Sequence, residues 1–325
     1  MKAISCEKFG MPESLKFQEV TEPSLGPNQV LVEVEACGVN FPDTLIIQGK
    51  YQFKPDLPFS PGGEVAGKII GIGEKAKNFQ IGDAVLALCG WGGFAEKLAV
   101  DTDRIFPLPK GIPAEIAATT LYTYGTSFHA LKDRAQLIPG EIVLVLGAAG
   151  GVGLAAVELG KLMGANVIAA ASSEEKLELC REKGADFTIN YEKEDLKSRI
   201  KELTNGKGAD VIFDPVGGHY SESAFRGIAW RGRYLTVGFA NGEIPKIPLN
   251  LPLLKGASIM GVFWGQFSKL EPGKNTENVS QLMQWIMEGK IKQHIGKRYQ
   301  LEEAPEALRA IMDRKMLGKG VVLLK

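Results

Sequence analysis

The chain has 325 residues, 45% hydrophobic and 23% charged, the balance of a globular protein long enough for two domains. Lys plus Arg and Asp plus Glu number 38 each, so the formal charge is zero. Nucleic acid is therefore disfavoured as the main partner, because phosphate binding draws on a basic excess.

The opening segment, MKAISCEKFG, lacks the apolar core and small-residue cleavage site of a signal peptide. Up to about Leu121 the chain reads as short strands and turns. QVLVEVEACGV (Gln29–Val39) sets Val30, Val32 and Val34 against Leu31, Glu33 and Glu35, a period of two with one mostly polar face. GEVAGKIIGIG and FQIGDAVLAL repeat the pattern between glycines, which predicts a small, strongly curved, barrel-like sheet. Cys6, Cys37, Cys89 and Cys180 share no CxxC spacing and read as free thiols in a reducing cytoplasm.

From about Leu121 the rhythm changes. EIVLVLG (Glu141–Gly147) is a continuous apolar run, followed by a helix-period stretch broken by Glu158 and Lys161, too early for a membrane span. ANVIAAA, DFTIN, ADVIFDPVG, GRYLTVGF and ASIMGVFWG then alternate with amphipathic segments, which predicts a parallel sheet covered on both faces. QFSKLEPGKNTEN reads as a polar loop, and the helices VSQLMQWIMEGK and EEAPEALRAIMDRK lead to a last strand, GVVLLK. The expected organisation is a discontinuous domain, residues 1–121 and 266–325, around a doubly wound α/β domain at residues 122–265.

In GAAGGVG the register of G-x-G-x-x-G falls on Ala148, Gly150 and Gly153, and Gly151 and Val152 lie between the last two. Gly150 allows the backbone to approach a pyrophosphate, and Gly153 allows the helix to pack on the strand. The anion would sit at the helix N-terminus, favoured by free amides and the dipole. An acid that binds a ribose 2′-hydroxyl belongs about 20 residues on. That place holds Ser172, followed by Ser173 and Lys176. A small hydroxyl with a nearby ammonium admits a 2′-phosphate, so the turn favours NADPH over NADH, with Tyr191 at the next strand end as a third contact. Ser172 and Ser173 also suit the cap of a helix starting at Glu174.

ACGVNFPD, PFSPGGEVAGKIIGIG, FQIGDAVLAL, TYGTSFHAL, PGEIVLVLGAAGGVG, DPVGG and VGFANGEIP follow in the order and approximate spacing of the medium-chain dehydrogenase/reductase superfamily. Within it, the chain resembles the zinc-independent quinone oxidoreductases of the zeta-crystallin type. The resemblance implies a GroES-like, mainly β catalytic domain, a Rossmann domain and a cofactor in the cleft between them. Zinc-dependent members place a cysteine where this chain has Asn40 and a histidine where it has Gly63, so no catalytic metal is expected. His129, His219 and His294 are too isolated to offer another metal site.

The same resemblance places Asn40 and Thr123 beside the nicotinamide, with Asp43 and Tyr51 lining the cleft. Tyr51 could donate a proton or stack on substrate. Phe239 and Asn241 would flank the nicotinamide, Phe263 would join an aromatic wall or a dimer contact, and Lys319 would reach the cofactor. Leu45 stands where some relatives have a tyrosine, which puts a simple tyrosine-acid mechanism in doubt. Without a Lewis acid, alcohol oxidation is disfavoured and an acceptor that takes hydride readily fits better. NADPH-dependent quinone reduction is the leading reading, and reduction of enones, 2-alkenals or enoyl thioesters is the runner-up. A nucleic-acid-binding or crystallin-like structural role ranks third. A soluble cytoplasmic homodimer joined along ASIMGVFWG completes the expectation, since that apolar strand would otherwise expose an edge.

Overall fold

The computed structural model describes residues 1–324. They form two compact units: Met1–Tyr122 with residues 293–324, and Thr123–Lys292.

Strands β1 (Lys2–Ser5), β2 (Lys16–Glu19), β3 (Gln29–Val39), β4 (Glu64–Ile72), β5 (Ala84–Leu88), β6 (Lys97–Asp101) and β7 (Ile105–Pro107) belong to the first unit. The second holds β8 (Ile142–Leu146), β9 (Asn166–Ala171), β10 (Phe187–Asn190), β11 (Ala209–Asp214), β12 (Ile228–Thr236) and β13 (Ser258–Gly261). The chain then returns to the first unit with β14 (Ile295–Gln300) and β15 (Lys319–Leu323).

In the first unit the main sheet runs β14-β15-β3-β4-β5-β7, with β6 also paired to β3. The alternation read in β3 is the alternation found: Val30, Val32 and Val34 are buried and Leu31, Glu33 and Glu35 partly exposed. From Ala36 to Val39 both faces are buried. Val30, Val32, Ile69, Val85, Phe94 and Val322 share one core. Each such aliphatic side chain contributes about 1.5–3 kcal/mol by leaving water.

The second unit is a Rossmann-type parallel sheet of order β10-β9-β8-β11-β12-β13. Val143, Leu144, Val145 and Leu146 are fully buried, as a central strand covered on both faces requires. At the far edge β13 pairs only with β12, and Ile259 stays 44% exposed.

Three expectations change. ASIMGVFWG is a strand only through Gly261, and the expected polar loop is helical, Trp264–Leu270 and Pro272–Met287. Pro272 opens the longer helix, a position where its missing N–H costs nothing. The return to the first unit accordingly comes at Gln293 and not at residue 266. Aromatic and amide contacts fix both helices to the second unit. Trp264 is buried and donates to Asn275 Oδ1 at 3.0 Å. Phe267 stacks on His129 at 3.9 Å, Trp285 meets Phe128 edge-on at 5.2 Å, and Asn278 donates to Asp133 at 2.8 Å. His129 is thus a packing residue, held by Asp133 at 2.9 Å.

Candidate active site

In the first unit three neighbouring strands converge on one polar cluster. β3 pairs antiparallel with β15, Val39 opposite Gly320, and with β4, Gly38 opposite Glu64. One step beyond each register, Asn40 lies beside Lys319. Gly38, between them and Glu64, has no room for a side chain: a Cβ there would lie 2.1 Å from the Ala118 carbonyl oxygen and 3.1 Å from Glu64 Oε2. Asn40, Asp43, Glu64 and Lys319 are all buried, with Glu64 fully so.

Every polar atom of Asn40 has a task within this cluster. Lys319 Nζ donates to Asn40 Oδ1. Asn40 Nδ2 donates to Gly38 O at 3.2 Å and to Glu64 Oε2 at 3.3 Å. Its backbone N–H donates to Asp43 Oδ2 at 2.8 Å, one half of a capping box on the short helix Phe41–Ile46. Glu64 Oε1 accepts from the amides of Leu121 and Tyr122, while Lys319 Nζ lies 3.5 Å from Glu64 Oε2.

Burial drives the electrostatics. Desolvation pushes the Asp43 carboxyl up to about 7, against the pull of the Asn40 amide and Lys319. It raises Glu64 as well, opposed by Lys319 and the donors of Asn40, Leu121 and Tyr122. Lys319 is drawn below the ordinary lysine value by burial, while Glu64 and Asp43 act to keep it charged. Tyr51 is half-buried against the core, its ring edge-on to Phe53 at 6.3 Å. Burial first, and then Asp43, hold its phenol above the usual range, so it keeps its proton at neutral pH.

The second unit supplies the other candidates. The helix Gly151–Leu162 starts directly after β8 through the turn at Gly147–Gly150, and no side chain caps its first turn. Gly153 is obligatory, because a Cβ would lie 2.3 Å from Gly147 O, whereas a Cβ on Gly150 would meet only that oxygen, at 3.4 Å. Ala148 is fully buried and shapes the turn from inside, with its N–H on Ala170 O at 3.0 Å. Gly151 and Val152 open the helix and remain partly exposed. This is a cradle of the kind an anion fits, with open backbone at Gly150 and uncapped amides beyond.

At the end of β9 the two serines divide their tasks. Ser173 caps the helix Glu174–Glu182 by accepting from the Lys176 amide at 3.4 Å. Ser172 accepts from Lys176 Nζ at 3.0 Å and is the serine paired with positive charge. Tyr191, at the end of β10, tilts against Tyr220 at 4.4 Å. Asn241 lies against Gly218 and Phe239 against Gly217, so these two side chains line the loop after β11. Phe263 is 46% exposed, and Thr123 is buried in the helical run that opens the unit.

Residues 26–110 match the alcohol dehydrogenase GroES-like domain and residues 151–288 the zinc-binding dehydrogenase family. The chain is 41% identical over 327 residues to the quinone oxidoreductase-like protein 2 homolog of Nematostella vectensis, covering 100% of this chain and 89% of that protein. It belongs to the quinone oxidoreductase family of medium-chain dehydrogenases/reductases. The fold of this oxidoreductase is also that of Escherichia coli quinone oxidoreductase complexed with NADPH, with TM-score 0.93 at 29% identity and 100% of both chains covered. The CurK enoyl reductase is similar too, with TM-score 0.88 at 27% identity, 100% of this chain and 99% of that one.

One of the matched families is named for zinc, and the residues here do not fit that ion. A Cβ on Gly63 would lie 2.8 Å from the Tyr122 hydroxyl and 2.9 Å from Gly90 O, so the phenol fills the room of the absent histidine. Asn40 replaces the cysteine and faces an ammonium. Among the described residues no group of three or more His, Cys, Asp or Glu side chains could hold a metal.

The structure brings Asn40, Asp43 and Lys319 together in one buried cluster. There the Asn40 amide donates to Gly38 O and Glu64 Oε2, Asp43 caps the helix Phe41–Ile46, and Lys319 donates to Asn40 Oδ1. Tyr122 is a residue that sequence reasoning does not find, because nothing along the chain relates it to Gly63.

Proposed function

We propose that the protein reduces quinones by hydride transfer from NADPH, without a metal ion. The observation that carries the reading is the Lys176 ammonium on Ser172 Oγ at 3.0 Å, where a carboxylate would otherwise receive the ribose. That pair suits a 2′-phosphate through charge and hydrogen bonding, and repels nothing. NADPH, when bound, supplies the hydride.

In this reading the amides that begin the helix Gly151–Leu162 bind the pyrophosphate, Gly150 gives it backbone contact, and Tyr191 walls the adenine side. Phe239 and Asn241 bound the nicotinamide loop, with Phe263 and Thr123 as further contacts. Tyr51 either donates the proton that completes the hydroquinone or stacks on the acceptor. Ser172→Asp tests the cofactor half: NADPH binding should weaken and NADH binding should not.

A second reading, reduction of α,β-unsaturated carbonyls, is favoured by the likeness to CurK enoyl reductase. Conjugated enones take hydride as quinones do and call on the same site. We also infer a homodimer along β13, whose surroundings leave Trp230 67%, Leu253 78%, Leu254 69% and Ile259 44% exposed.

A further inference from the structure

We propose that Lys319 is a built-in replacement for a metal cation: its ammonium holds Glu64 and locks Asn40 in a single amide orientation. Lys319 and Glu64 are then positioning residues for the first unit's part of the site.

The polarity of the partners leaves one solution. Lysine can only donate, and it faces Asn40 Oδ1. Gly38 O and the Glu64 carboxylate can only accept, and they face Asn40 Nδ2. A flipped amide would set donor against donor on one side and acceptor against acceptor on the other. Glu64 is equally constrained, because its four partners, Lys319, Asn40 Nδ2 and the amides of Leu121 and Tyr122, are all donors. The carboxylate therefore transmits the ammonium's hold to the backbone at Leu121 and Tyr122.

Charge and space agree with this. Two buried carboxyls, Asp43 and Glu64, surround one ammonium, and Asp43's raised affinity for a proton brings the cluster towards neutrality. Removing either partner of a buried ion pair leaves a charge uncompensated, which is strongly destabilising. The Tyr122 phenol and the Ala118 carbonyl occupy the neighbouring room, which leaves Lys319 as the cation of the cluster.

The proposal rests on the metal-free part of the proposed function and is indifferent to which acceptor is reduced. Its test is a double-mutant cycle of Lys319→Met and Glu64→Gln, read in kcat, in NADPH dissociation constant and in the denaturant midpoint. Lys319→Met should lower kcat about tenfold or more and leave the NADPH dissociation constant within about twofold. The double variant should lose no more than the worse single one, because the amide introduced at position 64 can then turn towards the vacated Asn40 oxygen. Additive losses would overturn the proposal, as would a large rise in NADPH dissociation constant at unchanged kcat, which would place Lys319 on the cofactor. If the Lys319 variant does not fold, wild-type protein dialysed against zinc and then gel-filtered decides by metal analysis. Substoichiometric zinc is expected, and about one zinc per chain would refute the replacement. Absence of quinone turnover would defeat the substrate assignment and leave the unfolding and zinc measurements intact.

Discussion

Lys319 donates to Oδ1 of Asn40 across 279 positions of sequence. The two meet because the last strand, β15, lies antiparallel to β3 with Gly320 opposite Val39. The consequence is an Asn40 whose amide is wholly committed inside the protein.

Asn40→Asp keeps an acceptor for Lys319 but sets a second oxygen against Gly38 O and Glu64 Oε2. We expect a loss of about 1–3 kcal/mol of stability, measured by urea denaturation, and a clear fall in kcat. Unchanged stability would mean that the amide orientation does not matter.

Gly38→Ala should be among the more damaging small substitutions, since its Cβ would lie 2.1 Å from backbone, which cannot step aside as a side chain can. A loss of about 1–3 kcal/mol or more is expected by denaturation. A neutral effect would show that the segment at Ala118 moves freely.

Stability should depend on pH through Asp43. Its carboxyl rises from an ordinary 3.8 to about 7 on folding, so the folded chain holds the proton more tightly than the unfolded one. The stabilisation is present below the ordinary value, declines as pH climbs from about 4 to about 7, and levels off above. Glu64, also raised, works in the same direction, while Lys319 opposes both; Cys37, Cys89, Tyr51 and Tyr122 feel the Asp43 charge and stay protonated in this range. Asp43→Asn should flatten the dependence of the urea midpoint on pH; an undiminished slope would assign it elsewhere.

Ile259→Lys on the edge strand should convert a dimer into monomers by light scattering, with little change in secondary structure. A wild-type protein that is already monomeric would contradict the β13 interface.

Much of this is legible in the sequence, though unevenly. Val30, Val32 and Val34 mark the buried face of β3 by period alone, and the run Val143–Leu146 marks a central parallel strand. The stretch after Gly265 reads as a loop because of its many polar residues, whereas Asn275 and Asn278 are buried partners of Trp264, Lys132 and Asp133. Lys319 stands out in the sequence, but its contacts with Asn40 and Glu64 do not, for a related reason. Its partners lie hundreds of positions away in the chain, and they appear only once the strand register is known.

The most direct measurement follows oxidation of NADPH and NADH against benzoquinone, naphthoquinone, phenanthrenequinone, a 2-alkenal and crotonyl-CoA, with and without a chelator. The expected result is quinone turnover that prefers NADPH, is unchanged by the chelator, and loses that preference in Ser172→Asp. Turnover of the alkenal or the thioester without any quinone would contradict the substrate, and loss of activity to the chelator would contradict the metal-free site.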